Sequence, residues 1–259
     1  AGENPGRSEA AVVEHAIQSL GLNDLSPFVA AENIIEWRVS PAGPLVSGGV
    51  GEFSEVLASS APAPGGGSTA ALCGALSAAL CAMVSQLSTK ITKKSWPYGK
   101  ERPGAWSEFD EMAVRAQRLR EEFLDDVDAD TEAFDAIMVA RRMPRSTPEQ
   151  KQVRVRAMRA AILGAIETPL RALRRCVDVL DCAELAATGN PNARSDAGVA
   201  VSCARACAEG TWMNVQINLT SLRNEDERRK YAAAANQAFA EVQEKSSRLL
   251  GAIKDELRY

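Results

Sequence analysis

The sequence predicts an all-α protein, a bundle of long helices behind a short irregular N-terminal extension. Only 5% of the 259 residues are aromatic although 46% are hydrophobic, and an alanine-rich composition of this kind favours closely packed helices over a β-sandwich. Apolar residues between Trp106 and Met138 recur at three- and four-residue steps, which places them on one helix face. The breaks between such segments are short, so neighbouring helices should run antiparallel. We assign residues 1–50 to the extension and 51–259 to the helical domain.

Composition and charge narrow the classes of function. The net charge is -4 and no domain carries a basic excess, which argues against nucleic acid as the main partner. His15 is the single histidine, so a histidine-activated nucleophile and a structural zinc site are both disfavoured. Acid–base chemistry must then fall mainly to Asp, Glu, Lys, water or substrate nitrogens.

The cysteines and the first residues bear on the compartment. All six cysteines lie inside apolar or helical patterns, as is typical of buried thiols in a reducing compartment. Residues 1–7 lack the basic head and apolar run of a secretory signal peptide. We therefore expect a cytoplasmic protein, with organellar import followed by removal of a presequence as the alternative.

The N-terminal extension mixes helical and irregular pieces. We predict a short amphipathic helix over Ser8–Leu20 and an irregular or extended segment over Leu25–Val39. Ser40–Gly51 is rich in Pro, Gly and Ser and is predicted to be a loop or linker. A further helical piece is expected over Phe53–Ser59.

A long apolar run from Thr69 to Leu87 is predicted to form the first core helix. It approaches the length of a membrane span, but small residues dominate it and no aromatic belt flanks it. Small residues let helices approach closely, so we place this helix at the centre of a water-soluble bundle and expect no membrane span. Ser88–Gly104 should follow as a loop that carries cationic and aromatic side chains.

Start and stop signals define the remaining helices. The helix that contains Trp106–Met138 should end near Arg142, since a proline follows two residues later. Thr147 to Gln150 form a strong helix start, with an N-cap hydroxyl, a proline at the first helical position and a capping box. That helix should reach about Ala187, with a bend at Pro169.

Two further helices complete the predicted bundle. The turn Gly189–Asn192 breaks the chain before a helix over about Ser195–Leu222. Asn224 is then expected to cap the last helix, which reaches nearly to Tyr259.

One acid interrupts the apolar seam of the helix that follows Trp106. The seam consists of Ala116, Leu119, Phe123, Val127, Asp130, Phe134 and Ile137. Desolvation disfavours the charged form of a carboxylate in such a seam, which makes Asp130 a candidate for proton transfer. The structural alternative is a buried aspartate that accepts hydrogen bonds from a neighbouring helix.

Other acids crowd the same stretch. Like charges one turn apart repel, so the pairs Asp126/Asp130 and Asp128/Glu132 each need cations, water or a shared proton. Asp128 lies off the apolar seam, and we expect it to be the solvated partner.

Three polar motifs accompany these acids. Gly65, Gly66, Gly67 and Ser68 open the apolar helix, where free backbone N–H groups and the helix dipole can hold an anion or a carbonyl oxygen. A glycine-rich helix start is the alternative explanation.

The second motif, Gly189–Asp196, offers amides and hydroxyls that could bind a polar heterocycle, although helix capping would also explain Asn192, Ser195 and Asp196. The third is a pair of amides, Asn214 and Asn218, one turn apart on an otherwise apolar helix. Two such amides must face something polar.

Taken together, four stretches resemble the cyclodeaminase domain of the formiminotransferase-cyclodeaminase family, which methenyltetrahydrofolate cyclohydrolases share. They are Ala61–Leu72, Val127–Phe134, Gly189–Ala200 and Asn214–Leu219. The resemblance covers about residues 51–250 in the family's order. Leu20–Phe28 and Asn33–Trp37 are also similar to the connector that follows the transferase domain in the bifunctional enzyme.

The resemblance implies an all-helical domain that forms a homodimer or higher oligomer, with active sites in the crevice between subunits. It implies an ammonia-lyase of one-carbon metabolism that converts 5-formiminotetrahydrofolate to 5,10-methenyltetrahydrofolate and ammonia, without a metal or redox cofactor. The expected partners are a folate, with or without a polyglutamate tail, and a formiminotransferase domain or protein. The alternatives are a methenyltetrahydrofolate cyclohydrolase and a non-catalytic helical scaffold subunit.

The resemblance also assigns roles to residues. The family's catalytic acid falls on Asp130. Gly65 to Ser68 would hold the substrate, Lys93 or Lys94 would meet the glutamate tail, and four polar residues would bind the pterin or orient Asp130. Those four are Asn190, Ser195, Asp196 and Asn218.

Overall fold

The computed structural model describes residues 9–24, 27–34, 43–89 and 106–257. Within these ranges every regular element is a helix, which confirms the all-α prediction. In chain order the helices are α1 (Glu9–Ser19), α2 (Ala30–Asn33), α3 (Val50–Ala58), α4 (Gly66–Thr89), α5 (Trp106–Arg142), α6 (Pro148–Ala187), α7 (Arg194–Leu219) and α8 (Glu225–Leu257), with a 3-10 turn over Pro191–Ala193 before α7.

The N-terminal extension follows the prediction in outline. Helix α1 matches the predicted amphipathic helix. In the segment predicted to be irregular or extended, the structure describes residues 27–34, of which the four residues of α2 are helical. Helix α3 begins at Val50, three residues before the predicted start. Residues 35–42 and 90–105 lie outside the described ranges. The loop predicted over Ser88–Gly104 is therefore described only at Ser88 and Thr89, where the prediction was wrong because both residues still belong to α4.

The capping residues predicted from the sequence cap the starts of two long helices, α6 and α8. Thr147 accepts a hydrogen bond from the backbone N–H of Gln150, whose side chain accepts in return from the backbone of Thr147. Helix α6 continues through the buried Pro169 to Ala187. The side chain of Asn224 accepts from the first backbone N–H groups of α8, at 3.0 and 3.1 Å. The capping predictions at both starts are therefore confirmed.

Helix α4 lies at the centre of the bundle, in contact with α5, α6 and α7. Among the described helices it alone is long and apolar enough to cross a membrane, yet 56% of its apolar window is buried inside the protein. Glycines permit the close contacts: Gly74 of α4 faces the ring of Phe123, and Gly210 of α7 faces Ala70. Helix α4 is therefore the core helix that the sequence predicts.

Contacts at the two ends of α4 fix the directions of its neighbours. The first turn of α4 meets Asp130 of α5, whereas Ser85 near its last turn donates to the carbonyl of Phe109. The same first turn faces Asn214 of α7, while Ser77 donates to the carbonyl of Ala200 at 2.7 Å. Helices α5 and α7 therefore both run antiparallel to α4, as predicted, and α6 packs behind all three and against α8.

A methyl group at Gly74 should destabilise the fold. Its Cβ would lie 2.5 Å from ring carbons of the fully buried Phe123, so Gly74→Ala should cost about 1–3 kcal/mol of unfolding free energy through overpacking. Chemical denaturation measures this. Gly164→Ala in α6 is the control, since no atom of the described residues outside its own stretch of helix lies within 4 Å of a Cβ there. Equal stability of the two variants would contradict the packing argument.

Candidate active site

The carboxylate of Asp130 lies at the N-terminus of α4. Its Oδ2 accepts from the backbone N–H of Ser68 at 3.0 Å and from the Ser68 hydroxyl at 3.1 Å. Its Oδ1 accepts a longer bond, 3.4 Å, from the side-chain amide of Asn214 in α7. The expected hydrogen bonds from neighbouring helices are therefore present. Because Oδ1 accepts only this long bond from the described residues, it keeps acceptor capacity for a further partner.

Burial changes the acidity of this group. It raises the pKa of Asp130 above its ordinary value, while the hydroxyl and backbone N–H of Ser68 act to lower the pKa. The apolar seam is fully buried as far as Val127, but Asp130, Phe134 and Ile137 are only half-buried. Our prediction of burial along the whole seam was wrong for these three, because α4 begins opposite Asp130 and covers nothing beyond it.

The glycine turn at the start of α4 makes the approach of these groups possible. A Cβ on Gly67 would overlap both Oδ1 of Asp130 and the amide nitrogen of Asn214. At Gly65 and Gly66, in contrast, no atom of the described residues beyond the adjoining backbone lies within 4 Å of such a Cβ. The N-terminus of α4 therefore binds a carboxylate of the protein itself, and the space next to Gly65 and Gly66 is open.

The two neighbouring acids have separate structural roles. Asp126, 1% exposed, forms ion pairs with Arg171 and Arg175 of α6, which supply the cations that its burial requires. Our prediction of a solvated Asp128 was wrong: Asp128 is 8% exposed, and its Oδ1 accepts from the backbone N–H of Leu45 at 2.9 Å. The reason is tertiary, since the N-terminal extension crosses α5 at this point.

The predicted pterin-binding residues do not all lie near Asp130. Asn190 lies at the opposite end of α4, where its backbone N–H donates to the hydroxyl of Ser88 at 2.8 Å. Gly67 and Ser88 are 21 residues apart on one helix, a distance of about 30 Å. Ser195 and Asp196, in the first turn of α7, share the Asn190 end. Within one chain, therefore, none of these three can orient Asp130.

The paired amides face polar groups, as predicted, but their roles differ from the expected ones. Asn218 donates to the carbonyl of Ala165 in α6 at 2.7 Å, and Asn214 is the amide that contacts Asp130. The spacing of the pair indicated polar contacts, yet sequence alone could not tell which amide faces the acid. The side chain of Asn190, not that of Asn192, Ser195 or Asp196, caps the 3-10 turn before α7.

The remaining expectations concern lysines, thiols and metals. Lys93 and Lys94 lie outside the described residues. The six cysteines are free thiols, and four of them (Cys81, Cys176, Cys182 and Cys207) are buried as predicted. In the part of the chain that the structure describes, no group of three or more His, Cys, Asp or Glu is placed to hold a metal ion. That the chemistry needs no metal or redox cofactor stays a prediction.

Comparison with known proteins gives one consistent family. Residues 49–237 match the model of the family described as formiminotransferase-cyclodeaminase. The chain is 39% identical, over 171 residues, to a methenyltetrahydrofolate cyclohydrolase from Methylorubrum extorquens, a match that covers 66% of this chain and 78% of that protein. It is 31% identical over 250 residues to formimidoyltransferase-cyclodeaminase from Rattus norvegicus, covering 92% of this chain but 43% of the rat protein.

Among solved structures, the chain is similar to a formiminotetrahydrofolate cyclodeaminase from Thermotoga maritima. The TM-score is 0.69 at 24% sequence identity, and the likeness covers 82% of this chain and 98% of that one. This likeness supports the helical fold. The chain thus spans most of the cyclohydrolase but less than half of the rat enzyme.

Removing the hydroxyl of Ser68 should raise the pKa of Asp130 further. The hydroxyl donates to the charged carboxylate and stabilises it, so Ser68→Ala favours the protonated form. Carbon-13 NMR titration of labelled aspartates measures the shift, with the Asp130 signal assigned by its absence from Asp130→Asn. Ser77→Ala, which removes another buried hydroxyl of α4, is the control and should leave this pKa unchanged. A lowered or unaltered pKa in Ser68→Ala would refute the assignment.

Proposed function

Because the chain belongs to the formiminotransferase-cyclodeaminase family, we propose that it is a formimidoyltetrahydrofolate cyclodeaminase, an ammonia-lyase. Its reaction would convert 5-formiminotetrahydrofolate to 5,10-methenyltetrahydrofolate and ammonia. The observation that carries the proposal is the carboxylate of Asp130, held by Ser68 and Asn214 beside the open turn of Gly65 and Gly66. A cytoplasmic location accompanies the proposal as a prediction.

The reaction needs two proton movements. The N10 amine of the folate adds to the formimino carbon on N5, which gives a tetrahedral carbon bonded to three nitrogens. With the formimino group protonated at the start, its nitrogen is an NH2 group at this stage; N10 then loses a proton, and this nitrogen gains one and leaves as ammonia, so the positive charge stays on the methenyl product. One group that accepts the first proton and supplies the second can serve both steps.

Asp130 has the geometry for this role. Its Oδ2 is occupied by the two donors of Ser68, whereas Oδ1 carries one long bond and can receive a proton. Burial raises its pKa, which brings a carboxyl group closer to the range in which it exchanges protons near neutral pH. The fixed backbone of Gly65 and Gly66 would then position the substrate next to Oδ1.

The site would be completed by a second copy of the chain. Helices α4 and α7 lie side by side in front of α6, so their sides that face away from α6 form one surface. Large apolar residues are exposed along this surface, namely Leu76, Met83 and Leu87 of α4 and Val199, Met213 and Ile217 of α7. A contiguous exposed apolar surface of this kind is typical of a protein interface.

Symmetry then explains the separation of the predicted residues. The apolar surface runs along the whole of α4, with Asp130 at one end and Asn190 at the other. A two-fold axis perpendicular to α4, through the middle of this surface, would bring the Asp130 end of one chain against the Asn190 end of its partner. The substrate would lie between Asp130 of one chain and Asn190, Ser195 and Asp196 of the other. Lys93 and Lys94 stay predicted ligands of its glutamate tail.

The second candidate is a methenyltetrahydrofolate cyclohydrolase. The 39% identity to the cyclohydrolase from Methylorubrum extorquens favours it, and the same carboxylate could transfer protons when water adds to the methenyl carbon. The match over 92% of the chain to the rat protein, which extends into the N-terminal extension, favours the cyclodeaminase. Turnover of the two folates by the purified protein distinguishes the candidates.

Asp130→Asn should lower kcat for ammonia release from 5-formiminotetrahydrofolate by about 10²–10⁴-fold, since the amide cannot exchange the proton. The amide oxygen can still accept from Ser68, so the variant should fold and melt like the wild type. Asp125→Asn, an exposed change on the same helix, is the control and should retain normal turnover. Near-normal ammonia release by folded Asp130→Asn would refute the proposed role.

Variants at the two ends of α4 should complement each other in a mixed dimer. Asp130→Asn and Asn190→Ala would each be inactive alone, but half of the dimers formed by co-refolding equal amounts contain one of each. Every such dimer has one intact site, so activity should return to about a quarter of the wild-type value. Mixing Asp130→Asn with Gly67→Ala, which alter the same end, is the control and should restore nothing. Equal recovery in the two mixtures would contradict a shared site.

A further inference from the structure

A cleft of about 550 Å³ lies between the end of α5, the first half of α6 and the turn that joins α7 to α8. Four arginines line it: Arg141, Arg154, Arg159 and Arg223. One acid, Glu227, also lines the cleft, so the lining residues together carry a charge of +3. The net charge of the whole chain, in contrast, is -4. We call this the arginine cleft.

Most of this positive charge is uncompensated. Glu227 pairs with Arg159 at 2.6 Å, and the other three arginines form no ion pair with any residue that the structure describes. The nearest protein partner of Arg154 is the backbone carbonyl of Arg141 at 3.3 Å, and its Nε is buried without a described acceptor. Guanidinium groups with unused donors bind carboxylates in a two-pronged geometry.

Apart from the polar Ser221 and Asn224, the rest of the cleft wall is apolar. Val155, Met158, Ile162 and Leu222 lie between the arginines. A small inorganic anion would leave this apolar surface unused. A ligand that carries several carboxylates on methylene segments would match both parts of the wall, because its spacers bury apolar area while its charges meet arginines.

The position of the cleft connects it to Asp130. Arg141 follows Asp130 by 11 residues, which is about 16 Å along α5 and three turns, so both point from the same face of the helix. Phe134 and Ile137 lie between them on that face and are only half-buried. A half-buried apolar track therefore leads from the candidate active site to the arginines.

We propose that the arginine cleft binds an oligocarboxylate, with Arg154 and Arg223 as its main ligands. This chemistry is shared by the glutamyl tail of a folate whose pterin lies at Asp130 and by free polycarboxylates. Binding of a folate's glutamyl tail rests on the proposed function, whereas binding of an oligocarboxylate as such does not. The track of Phe134 and Ile137 favours the tail, because a bound folate would extend along it. Arg154 and Arg223 would then take the place of Lys93 and Lys94 as ligands of the tail.

Binding is tested first without any folate. Isothermal titration calorimetry with γ-linked triglutamate should show binding to the wild-type protein that weakens as salt is added, and Arg154→Gln/Arg223→Gln should weaken it at least about tenfold. The matched control is Arg118→Gln, an exposed change about 35 Å from Arg141 along α5. Thermal melting verifies that the variants are folded. No binding to the wild type, or equal binding to the double variant, overturns the proposal.

A second measurement separates the two sources. If the tail occupies the cleft, triglutamyl substrate should have a lower KM than monoglutamyl substrate, and the double variant should remove that difference with kcat unchanged. Citrate that binds as tightly as triglutamate, with no effect of tail length on KM, would assign the cleft to free polycarboxylates. Triglutamate binding that depends on the arginines, in a protein that turns over neither folate, would refute the proposed function and leave the cleft assignment intact.

Discussion

The absence of a side chain at Gly67 is the constraint on which the site depends. A single methyl group there would occupy the place of the Asp130 carboxylate and of the Asn214 amide. Without it, α5 and α7 approach the first turn of α4 closely enough for the backbone and hydroxyl of Ser68 to meet the acid. The helix N-terminus thus stabilises a charged carboxylate whose burial in the apolar seam would otherwise be unfavourable.

Three aspartates two residues apart on α5 show how position decides the use of the same functional group. Asp126 faces α6 and is compensated by two arginines, so it links two helices. Asp128 faces the N-terminal extension and holds the backbone of Leu45. From the part of the chain that the structure describes, Asp130 receives only neutral donors. No cation among the described residues pairs with Asp130, and burial raises its pKa, which suits proton transfer.

The antiparallel packing of α4 and α7 also organises the proposed assembly. It puts the glycine turn with Asp130 at one end of the bundle and the Asn190 turn at the other, on both sides of an exposed apolar surface. A chain built in this way would carry two halves of the proposed site, which it could not join by itself. The arginine cleft extends the Asp130 half away from that surface, so one chain would supply both the acid and the contacts for a distant anionic group.

The helices of this protein follow from local sequence pattern, whereas the arrangement of its candidate site depends on tertiary contacts. Apolar periodicity, the capping box at Thr147 and the cap at Asn224 act within a few residues, so the sequence was enough to place the long helices and to single out Asp130. It could not show that Asp128 is buried beneath a segment 83 residues away, or that Asn214 rather than Asn218 meets the acid. Such facts depend on which helix faces which, and that is set by packing between segments far apart in the chain.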